Sequence, residues 1–303
     1  MSRDPFSSEP QRGDPLDQNL TVDRSGTSFR EVAAFAGEAE LSRPSETRLR
    51  GETTVPLRAR HQRDRARRLR ESELETLSEI GKFRVVDAAD LSEYGYAGNV
   101  RRMHRDLRHL ERQGLIAVKK IWSERHGTSH LLVLTRKAKR LVLQSGRLPR
   151  GQVIYHGLVK PREAKHDAAL YKLYQREKAR IESAGGRPLG VALDYELMRD
   201  LYRELARLGV AADARKAREV VAEKHGLAVI NDKVQIPDLR LEYETADHER
   251  RRLDLELATR NYRPRSMAEK VKAGFSIYAP REDASKLRRI LEETELTARI
   301  LSL

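Results

Sequence analysis

An α+β fold in two folded units is predicted for this chain of 303 residues, and three observations predict it. A helix from Val100 to Arg112 carries an apolar stripe (Val100, Met103, Leu107, Leu110) opposite a stripe of arginines (Arg101, Arg105, Arg108, Arg112), and two apolar runs separated by a polar loop follow it. Far downstream, Gln235 to Glu244 and Arg252 to Thr259 alternate strictly between apolar and charged residues, the period of strands buried on one side. Helical segments with apolar residues three and four apart surround both features. At ordinary domain sizes the length accommodates two domains and a tail.

Residues 1–56 are rich in Ser, Arg, Asp, Pro and Gly, a composition that buries too little surface to offset the entropy of ordering it, so a disordered tail is expected. Residues 57–70 (LRARHQRDRARRLR) follow as a basic arm, which either tracks a phosphate backbone or serves as a solvated linker.

Residues 71–145 form the first unit. A helix ends near Lys82, a second short helix covers Val86 to Tyr94, and a turn at Gly95 to Gly98 leads to Asn99, the expected cap of the striped helix. After Gly114, Leu115 to Trp122 and His130 to Thr135 read as strands joined by the loop SERHGTS, and Arg136 to Gln144 closes the unit as a helix. A face offering only guanidinium groups, planar forks matched to phosphate and to guanine edges, predicts a polyanion as partner. Lysine plus arginine number 60 against 46 acidic residues, a net charge of +14, which agrees with a nucleic-acid partner. A membrane is not expected, because no run approaches the roughly 18 apolar residues that span a bilayer.

Three helices followed by a hairpin with a basic tip resemble the winged helix-turn-helix family. That resemblance implies double-stranded DNA binding, with the third helix in the major groove and the hairpin on adjacent backbone. It carries the contact role onto Asn99, Arg101, Arg102, Arg105, Arg108 and Arg112, and onto Lys119, Lys120, Arg125 and His126 of the hairpin.

Residues 146–160, with Pro149, Gly151 and Gly157, read as a linker to a second unit, residues 161–282. A helix starts at Pro161 and runs to Ser183, stopped by Gly185 and Gly186; Asp194 to Leu208 and Asp213 to His225 then form a helical insertion, each headed by an aspartate. A sheet is expected to begin near Leu227. Its two alternating strands set leucines on one face and carboxylates on an exposed face; paired antiparallel, they put Asp238 beside Glu256, a pair suited to a divalent cation such as Mg2+. The alternative is that Arg240 or Arg252 simply pairs with Asp238, Glu242, Asp254 or Glu256 across the ladder. A helix from Arg265 to Ala273, a strand from Phe275 to Ala279 and a terminal helix within 283–303, from Asp283 to about Leu301, complete the chain.

Pro237-Asp238 on one strand and Glu256 on the next, flanked by helices, resemble the PD-(D/E)xK nuclease superfamily, which implies a mixed α/β domain and Mg2+-dependent phosphodiester chemistry. In that reading Asp238 and Glu256 are metal ligands. The superfamily's lysine would fall at Ala258; Lys270 or Lys272 of the following helix is the candidate replacement, with Lys270 as the charge stabiliser. A second register takes Asp254 as the acid and leaves Glu256 in the lysine's place.

The succession of a winged helix and a nuclease-like domain, with His166, Pro237-Asp238, Leu255-Glu256-Leu257 and Lys270 ahead of Tyr278, resembles the replication-relaxation family of bacterial plasmids and mobile elements, over Glu71 to Ala279. The resemblance implies a role in replication or mobilisation, with replication or transfer proteins as partners and a degenerate or weak nuclease domain. Two other functions fit: an active metal-dependent endonuclease, and a transcriptional repressor or scaffold, for which a homodimer on paired half-sites is expected. The lack of cysteine excludes disulfides and thiolate chemistry, the histidines have no metal-ligand spacing, His166 with Asp167 reads as a helix-surface pair, and a cytoplasmic location is expected.

Overall fold

The computed structural model of the chain describes residues 69–123, 127–157, 163–208, 214–259, 262–293 and 300–302. They belong to a compact unit spanning Glu52–Leu303. The expected tail, residues 57–68 of the basic arm, Arg125, His126, Pro161 and Asp213 lie outside the described residues. The fold is α+β.

Helix α1 (Glu71–Lys82) buries Leu74, Leu77 and Ile80. The chain then turns through Arg84, which takes a left-handed φ of 60°. A helix is expected from Val86, but Val86–Asp87 forms strand β1 and pairs with Leu132 and Leu131 of the hairpin. Val86 is wholly buried there, and the Asp87 carboxylate accepts from the Ala89 N–H at 2.8 Å, so helix α2 (Ala88–Asp90) starts one cap later. A π-helical turn (Leu91–Gly95) follows. Helix α3 (Val100–Arg112) is capped as expected, Asn99 Oδ1 accepting from the Arg102 N–H at 3.0 Å. Met103, Leu107 and Leu110 are buried, whereas Val100, expected in their stripe, is 48% exposed, because the first turn overhangs the core.

Strands β2 (Ile116–Ser123) and β3 (Gly127–Leu134) pair in register from Ile116 opposite Leu134 out to Ser123 opposite Gly127. They outrun their apolar cores, since backbone pairing carries the polar residues at the tip. Helix α4 (Arg136–Gln144) closes this part as expected.

Residues 146–157 are not a loose linker. Ile154 and Tyr155 are buried, the Tyr155 N–H donates to the Gly81 carbonyl at 2.7 Å, and its hydroxyl donates to Glu196 at 2.8 Å. Helix α5 (Ala164–Ser183) explains why two separate cores do not form. It buries residues around most of its circumference, Leu170, Tyr171, Leu173, Tyr174 and Ile181 among them, as a helix clasped between two layers must. Phe83 meets Tyr171 and Tyr174 at ring-centroid distances of 5.3 and 5.0 Å, and one apolar core runs from Leu77 to Tyr278.

The second sheet has an edge strand earlier than expected, β4 (Arg187–Leu193), whose Pro188 and Gly190 flank a break in register and mask its period. Helices α6 (Asp194–Leu208) and α7 (Ala214–Lys224) and a small ribbon of β5 (Val229–Ile230) and β6 (Lys233–Val234) form the insertion. Strands β7 (Leu239–Glu244) and β8 (Arg250–Leu257), helix α8 (Pro264–Lys272), β9 (Ser276–Ala279), helix α9 (Arg281–Glu293) and β10 (Ile300–Ser302) complete the chain. The strand order is β10-β9-β8-β7-β4, antiparallel on the β4, β7, β8 side and parallel from β8 to β10. A helix is expected to run to Leu301, but Ile300, buried, instead pairs with Ile277 in the sheet. The carboxylate face is not exposed at its α8 end: Asp238, Arg240 and Glu256 are all buried there. Among the described residues, no helix is long and apolar enough to cross a membrane.

Candidate functional sites

The first candidate site is the outer face of α3. Arg101, Arg102, Arg105, Arg108 and Arg112 are all exposed. Arg105 Nε donates to Asp106 at 3.3 Å, and Arg108 and Arg112 donate to carbonyls one turn back, at 3.2 and 3.3 Å. Among the described residues, Arg101, Arg102, Arg108 and Arg112 have no carboxylate within ion-pair reach. The helix is held from behind by a buried polar network that sequence reasoning missed. Asp106 accepts from Ser72 Oγ at 2.8 Å and from the Tyr96 hydroxyl at 3.3 Å, and Arg70 Nη2 lies 3.1 Å away. Glu73, also buried, meets Arg70 Nη2 and His109 Nδ1, each at 2.6 Å. Burial would push the Glu73 carboxyl up, but the hydrogen bonds from Arg70 and His109 hold it below its ordinary value. Arg70, the end of the expected arm, is thus fastened to the α1–α3 contact. Lys119 and Lys120 are exposed on β2.

The second candidate site lies where β7, β8 and α8 meet. The antiparallel register of Leu239 opposite Leu255, extended by one residue, brings Asp238 beside Glu256 as expected. Lys270 arrives from α8: its Nζ lies 3.4 Å from Glu256 Oε2 and donates to the Ile236 carbonyl. The Tyr262 hydroxyl donates to Glu256 Oε1 at 2.6 Å, and Asp238 Oδ2 accepts from the Leu257 N–H at 2.8 Å. The other register is closed, because Arg240 grips Asp254 through two bonds of 2.6 and 2.8 Å and donates two more to the carbonyls of His225 and Gly226. For Asp254 the plain cross-ladder pair is what forms.

His166 is no mere surface partner of Asp167. Its Nε2 is 3.4 Å from Asp238 Oδ2, with Nδ1 4.0 Å from Asp167. Asp167 accepts from Arg84 at 2.7 Å, and the same guanidinium nitrogen lies 3.8 Å from Asp194. Arg84 stacks on the Tyr195 ring at 4.2 Å. Four carboxylates (Asp167, Asp194, Asp238, Glu256) and three cations (Arg84, His166, Lys270) therefore form one chain, buried except for the half-buried His166 and Asp194. Its missed members left a faint trace: Arg84 is a lone charge inside the apolar run Phe83 to Val86.

Burial would lower the His166 imidazole, but Asp238 and Asp167 outweigh it and it is pushed up to about 10. Burial pushes Asp194 up to about 7, Arg84 opposing and Asp238 and Asp167 adding to the rise. Burial likewise pushes Glu256 up to about 7 against the pull of Lys270. Among the described residues, no three His, Asp or Glu side chains converge as a set of metal ligands. Asp238 and Glu256 each already face a protein cation, so Mg2+ does not fit this arrangement unless it displaces His166 and Lys270. No family model matches the chain, and no curated protein matches it either.

Proposed function

We propose that this protein binds double-stranded DNA through the arginine face of α3, and that its second half is a nuclease-like frame used to hold rather than to cut. The observation that carries the reading is the row of exposed guanidinium groups, which apart from Arg105 have no carboxylate partner among the described residues, on a helix whose opposite side is fixed by Leu107, Leu110 and the Asp106 network. Phosphates would supply the missing anions, with release of condensed counterions as the driving term. In this reading residues 71–145 act as a winged helix-turn-helix domain, α3 as the recognition helix and the β2–β3 hairpin as the wing. The order helix, β4, β7, β8, helix, β9 supports a PD-(D/E)xK-like core. A place in replication or mobilisation of plasmids or mobile elements, as in the replication-relaxation family, is the biological setting proposed with it.

The test is incubation with supercoiled plasmid, with and without Mg2+ or Mn2+, resolved on native and denaturing gels. Retarded, intact plasmid in both conditions is expected. One observation favours a second reading, an active endonuclease: Lys270 stands beside Glu256 where the strand lysine is missing. That reading expects metal-dependent nicking that Asp238→Asn abolishes while binding survives.

A further inference from the structure

Trp122 is the chain's single tryptophan, and it is 68% exposed near the tip of the β2–β3 hairpin. Tryptophan has the largest apolar surface of any residue and is highly buried on average. Nor is the exposure a frayed end. Ile121, on the opposite face of the strand, packs beside the cluster of Val85, Leu131, Val133, Ala164 and Ala168, and Trp122 itself is paired in register with Thr128.

The face that carries Trp122 is the one that α3 occupies. Ile116 and Val118, with Leu132 and Leu134 opposite them, pack into the same core as Met103, Leu107 and Leu110 of α3. Side chains alternate along a strand, so Lys120 and Trp122, opposite His130 and Thr128, continue that face beyond the core. Lys120, Trp122, Thr128 and His130 are exposed together, and Lys119 is exposed on the opposite face.

We infer that Trp122 is a stacking platform for an unpaired nucleic-acid base, and that the preferred substrate is a duplex interrupted by a gap, bulge or melted segment. The inference rests on DNA binding by this part of the chain. A planar ring takes a base face, and the Lys120 ammonium on the same face of the strand meets a neighbouring phosphate, the combination found where single strands are bound. An intact duplex hides its base faces in the stack, so it cannot use this ring without being kinked open. The charge beside the ring favours nucleic acid over an apolar protein surface.

With one tryptophan in the chain, its fluorescence reports on this contact alone. The full chain is titrated with a 20-base-pair duplex, with the same duplex carrying a two-nucleotide gap, and with vesicles of mixed neutral and anionic phospholipid. The expected result is quenching and protection from acrylamide by the gapped duplex, with much less change for the intact one. Trp122→Ala should bind the gapped duplex about tenfold more weakly and the intact duplex nearly as before, while Trp122→Phe keeps most of the preference. Binding of gapped DNA without quenching, or equal loss on both duplexes for Trp122→Ala, overturns the inference and leaves the DNA-binding reading standing. A blue shift with vesicles but no response to DNA overturns it in favour of a lipid surface. No binding to either duplex overturns both.

Discussion

On α3, five arginines stand in solvent and, among the described residues, only Arg105 has a carboxylate in reach, the neighbouring Asp106. Around α8 and α5, by contrast, Asp167 is met by Arg84, Asp238 by His166 and Glu256 by Lys270. Both regions are dense in charge, and a sequence shows them as equally suggestive. The difference lies in where the counter-charge sits. Where protein supplies it, the charges hold the fold together; where protein does not, a partner is left to supply it. That is why the DNA reading is placed on the helix and the carboxylates are read as structural.

The comparison can be broken most severely at Arg84. Arg84→Ala removes the guanidinium that pairs with buried Asp167 and lies near half-buried Asp194, which should cost about 3–5 kcal/mol. The expected fall in Tm is about 10 °C, while duplex affinity at a temperature where the variant is folded stays near that of the parent. Loss of DNA binding with Tm unchanged would make the cluster a ligand site instead.

Asp106→Ala loosens the arginine helix from behind, since it removes the acceptor of Ser72 and Tyr96. A loss of about 1–3 kcal/mol in urea unfolding is expected, with DNA affinity falling only as far as the helix loosens.

The pH dependence sharpens the contrast. Glu256, raised from 4.5 to about 7, keeps its proton in the folded chain where the unfolded chain has lost it, so its contribution to stability falls as pH rises through that window. His166, raised from 6.5 to about 10, stabilises fully below pH 6.5 and loses that contribution as pH climbs toward 10. Melting curves across pH should flatten in the lower window for Glu256→Gln and in the upper window for His166→Gln. A parallel pH profile in either variant would contradict its assignment. The smallest effect is expected for Lys119→Ala with Lys120→Ala, a few-fold loss of duplex affinity and a salt slope lower by about 1–2, with no change in Tm.

Much of this was legible in the sequence, for identifiable reasons. The ends of α1, α3 and α4 follow from local signals such as Asn99 and the periodic leucines, and β7 and β8 from their strict alternation. The pairing of Asp238 with Glu256 follows from the same alternation once the strands are antiparallel. What was illegible is what arrives from elsewhere in the chain. Pro188 and Gly190 erase the period of β4, and β10 is too short to have one. The 83-residue separation of Arg84 from Asp167 leaves no mark in either neighbourhood. Nor does local sequence tell that α5 is clasped on two sides, the fact that turns an expected linker and second domain into one continuous core.

The central claim, that the arginines of α3 are the charges left for a partner, is tested most directly by duplex affinity measured against salt for the parent chain and for Arg101→Ala with Arg105→Ala and Arg108→Ala together. The account predicts an unchanged Tm, a large loss of affinity and a drop of about 3 in the slope of log affinity against log salt, close to one for each lost phosphate contact. An unchanged affinity and slope would contradict it.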